Sequence, residues 1–355
     1  MPKRSKLSSN ERYTLESSPF AQNPTQRDVA ALVRESKENL KNLATPHFKE
    51  RFLVRRTIEA NNKTRDLVYP EGRLRAVHER LKFHFSKIIQ PSYLMSPRKG
   101  RAQRDNAEAH LEAAQFVTLD LKQFYPSTTR QMIRNSLTAQ FDMHSDVAGL
   151  IAHIATADDR ACFGSPLTPV LAALVHRPMF NVIADRCAED DLSYTVWVDD
   201  LTISGERITG ELRADIRNIV SKSGLKSHKL KSQTGNRPVF ITGVGVVGSN
   251  LIVPKRTELR SKELWAALRN AETFEEVDDC SKRLLSHLGG IRSVVGASSR
   301  RGQKLASEMN SIRQKREKAY REYEASVLSV STVASNEVES NSTERRVEVE
   351  ELPWD

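Results

Sequence analysis

Three aspartates could bind divalent cations if the fold brings them together. Asp199 and Asp200 are adjacent, between the apolar runs YTVW and LTIS, and Asp120 ends the run FVTLD. Neighbouring carboxylates repel each other unless a cation neutralises them, and Mg²⁺ prefers carboxylate oxygens together with substrate phosphates. The three side chains therefore predict a site for two Mg²⁺ ions, with Mn²⁺ as a substitute, that would support in-line phosphoryl transfer.

Each carboxylate also has a simpler interpretation. Aspartates are common in solvated turns, so the Asp199-Asp200 pair alone predicts no metal site, and Asp120 could simply cap a loop. The surrounding pattern favours the metal site. Residues 115–120 read as a strand, and residues 194–197 and 201–204 read as a hairpin with both acids at its tip. If Asp120 lies beside this hairpin, one sheet would fix all three side chains.

The remaining segments alternate between helical and strand patterns. Apolar residues at helical spacing predict helices within residues 28–59, 74–89, 168–186 and 255–324. Strands are predicted at residues 65–69, which Pro70 ends, and at two places within residues 239–252. The polar, basic residues 1–28 are predicted to be flexible, and the Ser-, Val- and Glu-rich residues 326–355 to form a disordered acidic tail.

The composition indicates a polyanionic partner and excludes some classes of protein. The 355 residues carry a net charge of +10 although residues 326–355 are acidic. That balance favours nucleic acid, although many basic proteins bind none. No apolar run could span a bilayer, the N-terminus lacks the apolar core of a signal peptide, and the three cysteines are isolated. We expect a cytoplasmic protein without disulfides.

Three segments, in order, resemble the A, B and C motifs of prokaryotic reverse transcriptases, most closely those of retrons and retron-like relatives. They are FVTLDLKQFYPS, GSPLTPVLAAL and WVDDLTISG, and the resemblance extends from about residue 65 to about residue 295. It implies an α+β right-hand polymerase whose antiparallel palm sheet packs on helices. The implied domains are N-terminal helices and fingers (29–113), a palm with part of the fingers (114–254, the fingers part being 128–165) and a helical thumb (255–325).

The resemblance implies roles for the residues around the carboxylates. Asp120, Asp199 and Asp200 would be catalytic and, with the Leu121 carbonyl, would bind the metal ions. Tyr125 would act as a steric gate, because its ring would clash with the 2′-hydroxyl of a ribonucleotide. The alternative for Tyr125 is an ordinary core aromatic.

Further residues would contact the nucleotide, the primer or the template. The implied nucleotide-binding residues are Arg65, Arg98, Lys99, Arg101, Gly164, Ser165, Pro166 and Lys231. The cations would bind triphosphate oxygens, although the loop around Lys99 could simply be solvated, and Lys226 and Lys229 are alternatives to Lys231. Phe163, Trp197 and Val198 would position primer and template, with Phe163 and Trp197 replacing the Gln and Tyr that are usual in the family.

Two short matches and one basic helix imply RNA recognition. Residues 106–110 (NAEAH) and 241–243 (ITG) resemble the NAxxH and VTG motifs of retron enzymes, which implicates Asn106, His110, Thr242 and Gly243. His110 is not expected to bind metal, because no second His or Cys lies at ligand spacing. In the C-terminal body, a helix face could track duplex phosphates or could be merely solvated; its candidate residues are Arg313, Lys315 and Arg316.

The function implied by the resemblance is that of a bacterial retron reverse transcriptase. Such an enzyme would copy a cognate structured noncoding RNA into single-stranded DNA from dNTPs. Priming from a 2′-hydroxyl of that RNA would give branched RNA–DNA, and the system would serve anti-phage defence with a separate effector protein. Two alternatives are a defence reverse transcriptase with different priming, and a non-catalytic RNA-binding scaffold.

Overall fold

The computed structural model describes residues 12–60, 63–228 and 230–343. The chain divides into two compact units, Met1–Leu251 and Ile252–Asp355, close to the division expected before residue 255. Within the described residues, no helix combines the length and the apolar composition needed to cross a membrane.

Helices and strands alternate irregularly in the first unit, and helices make up most of the second. The helices of the first unit are α1 (Gln26–Leu32), α2 (Lys37–Ala44), α3 (Pro46–Glu50), α4 (Gly72–Ser86), α5 (Gln103–Glu108), α6 (Phe124–Ser127), α7 (Arg130–Phe141), α8 (Ser145–Ala155), α9 (Thr168–Val175), α10 (Arg177–Glu189) and α11 (Gly210–Lys222). Those of the second are α12 (Lys255–Arg269), α13 (Phe274–Val295) and α14 (Arg300–Thr343).

The strands form one central sheet and three smaller ones. They are β1 (Leu53–Ala60), β2 (Lys63–Pro70), β3 (Leu94–Ser96), β4 (Gln115–Asp120), β5 (Thr156–Ala157), β6 (Arg160–Ala161), β7 (Ser193–Trp197), β8 (Asp200–Gly205), β9 (Lys231–Thr234), β10 (Val239–Ile241), β11 (Val244–Val247) and β12 (Asn250–Ile252). The predicted strand at residues 115–120 and both hairpin strands are confirmed. Residues 239–252 form three strands rather than the predicted two, in the order β10-β11-β12.

The central sheet has the order β3-β7-β8-β4-β9. Its neighbouring strands are antiparallel except for β3, which pairs with β7 in parallel, so the sheet is mixed rather than purely antiparallel as expected. Helices α10 and α11 cover one face with apolar side chains such as Phe180, Ile183 and Ile216. Because strands alternate their side chains between faces, Val196 and Ile203 of β7 and β8 point into this same core. The observed α+β architecture agrees with the predicted class.

A second core lies among the helices of the first unit and includes part of the N-terminal segment. Phe20 is fully buried and stacks on Phe85 with ring centroids 4.1 Å apart. The Tyr13 hydroxyl donates to the His84 carbonyl. The prediction of flexibility for residues 1–28 is therefore wrong from residue 12 onward, because these two aromatics bury enough surface to anchor a polar segment; residues 1–11 lie outside the described residues.

Two helix predictions need correction. Residues 53–59 belong to β1, which pairs antiparallel with β2 along its length. The β-branched residues Val54, Thr57 and Ile58 favour a strand there. The helix predicted over residues 168–186 is divided at His176 into α9 and α10. Pro178 explains the division, because its ring cannot donate a helical hydrogen bond and clashes with the preceding turn.

The second unit is a bundle of α12, α13 and α14 around its own core. Leu268, Leu284, Leu288 and Ile312 are almost completely buried there. Helix α14 continues to Thr343, so it includes residues 326–343 of the predicted disordered tail, whose disorder stays a prediction. Between residues 303 and 343 the sequence contains neither Gly nor Pro, the residues that most often end a helix. Residues 344–355 lie outside the described residues.

Candidate active site

The three aspartates meet at one end of the central sheet. Strand β4 pairs with β8 so that Asp120 lies directly opposite Asp200. Asp199 precedes Asp200 in the turn, and its carbonyl accepts a hydrogen bond of 2.8 Å from the Leu121 N–H. The backbone of β4 is thus bonded to both the strand and the turn that carry the other two carboxylates, which supports the expectation that one sheet fixes all three.

The turn between β7 and β8 has only two residues, Val198 and Asp199. Trp197 pairs with Asp200, so Asp200 is the first residue of β8 and only Asp199 lies at the tip, where both acids were predicted. Val198 has a φ of +60°. This left-handed conformation is unfavourable for a β-branched residue, but two-residue hairpin turns often require it at this position. The Val198 N–H donates to the Ser96 carbonyl of β3 at 3.2 Å, which helps to hold the turn.

Burial and neighbouring carboxylates raise the pKa values of Asp199 and Asp200. Burial raises the pKa of Asp199, and the charge of Asp120 adds to this rise, whereas the Arg65 guanidinium and the backbone act against it. Burial, followed by the charges of Asp199 and Asp120, raises the pKa of Asp200 to about 6, with Lys231 acting in the opposite direction. Asp200 nevertheless keeps a solvent-exposed face. Like charges are therefore concentrated at a place that a ligand can reach.

The donor set of this site fits Mg²⁺. Carboxylate oxygens are hard ligands, and the mutual repulsion of these three groups is relieved by a cation. Over the described part of the chain, no three His, Cys, Asp or Glu side chains are grouped so that they could hold a metal ion as they stand. An Mg²⁺ ion at this site would therefore need further ligands from water and phosphate.

His228 is a neighbour of the carboxylates that the sequence analysis missed. Its Nε2 lies 3.3 Å from Oδ2 of Asp120, and its backbone N–H donates to the Asp120 carbonyl at 2.8 Å. The segment GLKSHKLKS was considered only for its lysines. Pairing between Leu121 and Ser227 brings the histidine there, and a sequence pattern does not reveal such a contact. Of the lysines weighed as alternatives to Lys231, Lys229 lies outside the described residues.

Two aromatic side chains from different predicted motifs are in contact beside the carboxylates. The rings of Tyr125 and Phe163 are tilted with centroids 5.9 Å apart. Burial, and secondarily the charge of Asp199, raises the pKa of Tyr125 to about 12. Tyr125 also contacts Phe124, whose ring is buried. Tyr125 is therefore partly buried near Asp199 rather than an ordinary core residue like Phe124.

The turn that contains Gly164 and Ser165 is held by a buried histidine. Gly164 has a φ of +114°, and a Cβ placed on it would lie 3.2 Å from Cβ of Tyr69, so only glycine fits well. Nε2 of His78 donates to the Ile154 carbonyl, and its Nδ1 therefore accepts from the Ser165 hydroxyl at 2.6 Å. Ser165, predicted to contact nucleotide, directs its side chain into the core instead. Pro166 follows in the turn, half-buried.

The predicted nucleotide-binding cations lie in three places. Arg65 is exposed on β2 and close enough to Asp199 to affect its pKa, and Lys231 has the same relation to Asp200. The loop of Arg98, Lys99 and Arg101 follows β3, whose Ser96 pairs with Trp197. Within that loop Arg98 donates to the Pro91 carbonyl and Arg101 lies 3.5 Å from Asp105, while Lys99 is exposed.

The residues of the NAEAH and ITG segments that were predicted to contact RNA are mostly buried. His110 is completely buried and bonds Ser204 and Thr195 at 2.7 Å each. Asn106 is also buried, and its side-chain N–H donates to the Thr242 hydroxyl at 3.2 Å. The prediction of direct RNA contact is therefore wrong for Asn106 and His110. The two segments instead pack against each other, and of the four predicted residues only Gly243 is exposed.

The three cations predicted to track duplex phosphates have partners inside the second unit. The Lys315 ammonium donates to the Leu268 carbonyl at 2.8 Å, at the end of α12. Arg316 bonds Asp278 at 2.5 Å. Arg313 is exposed and bonds the nearby Asn310 side chain. Of these three, Arg313 is the most available to a ligand, whereas Lys315 and Arg316 hold the bundle together.

Comparison with known proteins agrees with the geometry of the site. Residues 72–246 match the model of the family described as reverse transcriptase (RNA-dependent DNA polymerase). The chain is 26% identical over 148 residues to the retron Se72 reverse transcriptase of Salmonella heidelberg, covering 41% of this chain and 39% of that one. It is 25% identical over 294 residues to the retron Mx65 reverse transcriptase of Myxococcus xanthus, covering 76% and 67%.

A third relative, the retron Ec48 reverse transcriptase of Escherichia coli, is 21% identical over 262 residues, which cover 67% of this chain and 64% of the relative. The aligned part thus spans between 39% and 67% of the length of these curated relatives. The matched family segment contains Asp120, Asp199 and Asp200 together with the sheet that holds them. Over this segment the chain is therefore similar to reverse transcriptases, and the curated relatives that it matches are retron enzymes.

Proposed function

We propose that this chain is an RNA-directed DNA polymerase of a retron, with Asp120, Asp199 and Asp200 as its catalytic carboxylates. The observation that carries the proposal is the register that sets Asp120 opposite Asp200, with Asp199 beside them in a strained turn. This arrangement concentrates negative charge at an exposed sheet end. Divalent cations bound there would lower the barrier to attack of a 3′-hydroxyl on an incoming dNTP.

The residues of the chain would bind and orient the reactants around these ions. The three carboxylates, joined by the Leu121 carbonyl, would hold the two ions. The Arg65 guanidinium acts on the pKa of Asp199, and the Lys231 ammonium acts on that of Asp200. Both cations would bind the triphosphate through charge-assisted hydrogen bonds. Lys99 would contribute from the neighbouring loop, and Arg98 and Arg101 would hold that loop in shape.

Selection of the sugar and of the base pair would depend on the Tyr125–Phe163 contact. The Tyr125 ring, held against Phe163, would occupy the space that a 2′-hydroxyl needs, so that deoxynucleotides are preferred. Gly164 and Pro166 would let the backbone approach the new base pair. Trp197 and Val198, at the end of β7, would form the wall against which the primer end lies.

We further infer a right-hand arrangement in which the central sheet is the palm, the β1–β2 hairpin belongs to the fingers and the second unit is the thumb. The template would be a cognate structured noncoding RNA, which the relatives' names as retron enzymes support. Thr242, Gly243 and Arg313 remain candidates for RNA contact. We also propose priming from a 2′-hydroxyl of that RNA, a role in anti-phage defence with a separate effector protein, and a cytoplasmic location.

Primer extension tests the polymerase activity. The purified chain, Mg²⁺ and dTTP are incubated with oligo(dT) annealed to poly(rA), and in parallel with oligo(dT) on poly(dA). Extension on the RNA template supports the proposal; absence of extension on it, from protein that is folded by circular dichroism, contradicts the proposal and leaves the scaffold function. Coexpression with the noncoding RNA encoded beside the gene then tests priming, since a branched RNA–DNA product is expected from a retron and a linear one from a differently primed defence enzyme.

A further inference from the structure

A concave, cationic surface runs along β9, at the edge of the central sheet. Two adjoining concavities of about 580 and 310 Å³ share Arg213 and Ser232. Arg237 lines the larger and Arg217 the smaller. We call this surface, defined by Arg213, Arg217, Arg237 and Ser232, the β9 groove.

The charge of the β9 groove has one sign. It contains three guanidinium groups, and none of the described residues that line it is acidic. Asp215, on the same helix as Arg213 and Arg217, is directed to Arg186, 3.1 Å away. A concavity with one sign of charge attracts polyanions from solution and holds them.

Arg213 is fixed in position before any ligand binds. Its Nε donates to the Thr209 carbonyl at 3.2 Å, and its Nη1 donates to the Ser232 hydroxyl at 3.1 Å. Arg217 and Arg237, by contrast, are exposed. A guanidinium held in this way loses little conformational entropy when it binds a phosphate with its remaining N–H groups.

The floor and rim of the groove have different chemistry. Phe116 and Val117 of β4 form part of an apolar floor and are almost fully buried. The rim carries the side chains of Ser232, Gln233 and Thr234, which are exposed on β9. Hydroxyl and amide groups can donate to and accept from a ribose 2′-hydroxyl, the group that distinguishes RNA from DNA.

The direction of β9 connects the groove with the carboxylates. Lys231 pairs with Thr118, two residues before Asp120, whereas Thr234 pairs with Gln115 at the other end of β4. Over these three residues the strand advances about 10 Å. A strand of nucleic acid that lies along β9 would therefore extend from the neighbourhood of the active site toward Arg237.

We propose that the β9 groove binds a single-stranded segment of RNA through its phosphates, outside the duplex that is being copied. The three arginines contact the phosphates, and the hydroxyl and amide groups of the rim contact the riboses. An exposed strand edge lined by cations is unsuited to pairing with a strand from another protein, so RNA is the occupant that the charge and the rim favour. The inference rests on the proposed function, because it supplies an RNA-binding surface for that enzyme.

The test compares two double variants of the full chain that lose the same charge. Arg217→Gln with Arg237→Gln changes the groove, and Arg27→Gln with Arg134→Gln removes two exposed arginines from α1 and α7. All four positions are exposed, so melting temperatures should be unchanged. Fluorescence anisotropy measures the binding of labelled oligo(U) and oligo(dT) 12-mers over a series of salt concentrations.

We expect the groove variant to bind oligo(U) several-fold more weakly than the native chain. The slope of the logarithm of the binding constant against the logarithm of the salt concentration should become shallower by about one to one and a half, since each phosphate contact with a single strand contributes about 0.7. The control variant should bind as the native chain does. Equal effects of the two variants would overturn the proposal. An equal loss for oligo(dT) would overturn the assignment to RNA, and displacement of oligo(U) by poly-glutamate of the same length would overturn it in favour of an acidic peptide.

Primer extension on short oligo(dT)–poly(rA) separates this inference from the proposed function. The groove variant should keep its activity there, because neither Arg217 nor Arg237 is among the charged groups that act on Asp199 and Asp200. If the native chain extends no primer, the proposed function fails, whereas the comparison of oligo(U) binding between the two variants still decides the role of the groove.

Discussion

The imidazole of His110 bonds the Ser204 hydroxyl at 2.7 Å, inside the protein and beneath the hairpin that carries Asp199 and Asp200. The other ring nitrogen bonds the Thr195 hydroxyl at the same distance. Ser204 belongs to β8 and Thr195 to β7, so a single neutral ring, donating to one hydroxyl and accepting from the other, joins the two strands of the hairpin.

Replacement of His110 by Leu should destabilise the chain. Two buried hydroxyls would lose their partner, and each unsatisfied group costs about 1–3 kcal/mol. We expect the free energy of unfolding to fall by roughly 2–4 kcal/mol, measured by urea denaturation. His47→Leu is the control, because His47 is exposed on α3. Equal stabilities of the two variants would show that the ring does not support the hairpin.

Acid should destabilise the first unit through three buried histidines. Burial lowers the pKa values of His78, His110 and His176 to about 4; the charge of Lys49 contributes at His78. Each is bonded near a different predicted motif: His78 to Ser165, His110 to Ser204 and Thr195, and His176 to Thr128.

The direction of this effect follows from the depressed pKa values. The unfolded chain binds protons at these histidines near pH 6.5, whereas the folded chain resists protonation until about pH 4. The contribution of the three histidines to the free energy of unfolding is therefore intact above pH 6.5 and declines as the pH falls toward 4. At pH 5 the loss is about 2 kcal/mol per histidine. Urea denaturation at pH 7 and pH 5 measures it, and equal stability at both values would contradict the three neutral histidines.

Replacement of Tyr125 by Ala should admit ribonucleotides. If the ring excludes a 2′-hydroxyl, its removal should reduce the preference for dTTP over UTP by roughly tenfold to a hundredfold, because one steric contact is worth about 1–3 kcal/mol. Single-nucleotide incorporation on a poly(rA) template measures the ratio of kcat/KM values. Tyr125→Phe keeps the ring and should keep the preference. An unchanged ratio in the Ala variant would remove the assignment of the gate.

Replacement of His228 by Ala should reduce the Mg²⁺ requirement. The imidazole lies 3.3 Å from Oδ2 of Asp120 and would compete with a metal ion for this carboxylate. Its removal should therefore lower the Mg²⁺ concentration for half-maximal extension by about twofold to fivefold, since an exposed polar contact is worth up to about 1 kcal/mol. His144→Ala is the control, because His144 contacts Asp146 away from the site. A higher Mg²⁺ requirement would indicate instead that His228 orients the carboxylate.

Local patterns in the sequence predicted the elements that carry the site. The alternation of apolar residues before Asp120 and on both sides of Asp199 indicated β4, β7 and β8, and those strands have the expected positions. Their pairing could be expected because three carboxylates need a shared sheet to act together. The resemblance to a known family then supplied the order of the motifs.

Contacts between distant parts of the chain could not be predicted in the same way. Asn106 and His110 were expected to face RNA, but 1% and 0% of their surfaces are exposed. Partners 85 to 136 residues away bond the His110 ring and the Asn106 side-chain N–H instead. The anchoring of Phe20 against Phe85 and the approach of His228 to Asp120 likewise depend on tertiary packing. Periodicity and residue type carry no information on such partners.

The most direct test of the central claim is primer extension by Asp199→Asn. The substitution keeps the size of the side chain and removes the charge that would bind metal. Asp191→Asn is the control, since Asp191 is exposed and its φ of +52° suits asparagine. We predict that Asp199→Asn lowers DNA synthesis on poly(rA) at least about a hundredfold without changing RNA binding or the melting temperature, and that Asp191→Asn has native activity. Native DNA synthesis by Asp199→Asn would contradict the assignment of the catalytic carboxylates.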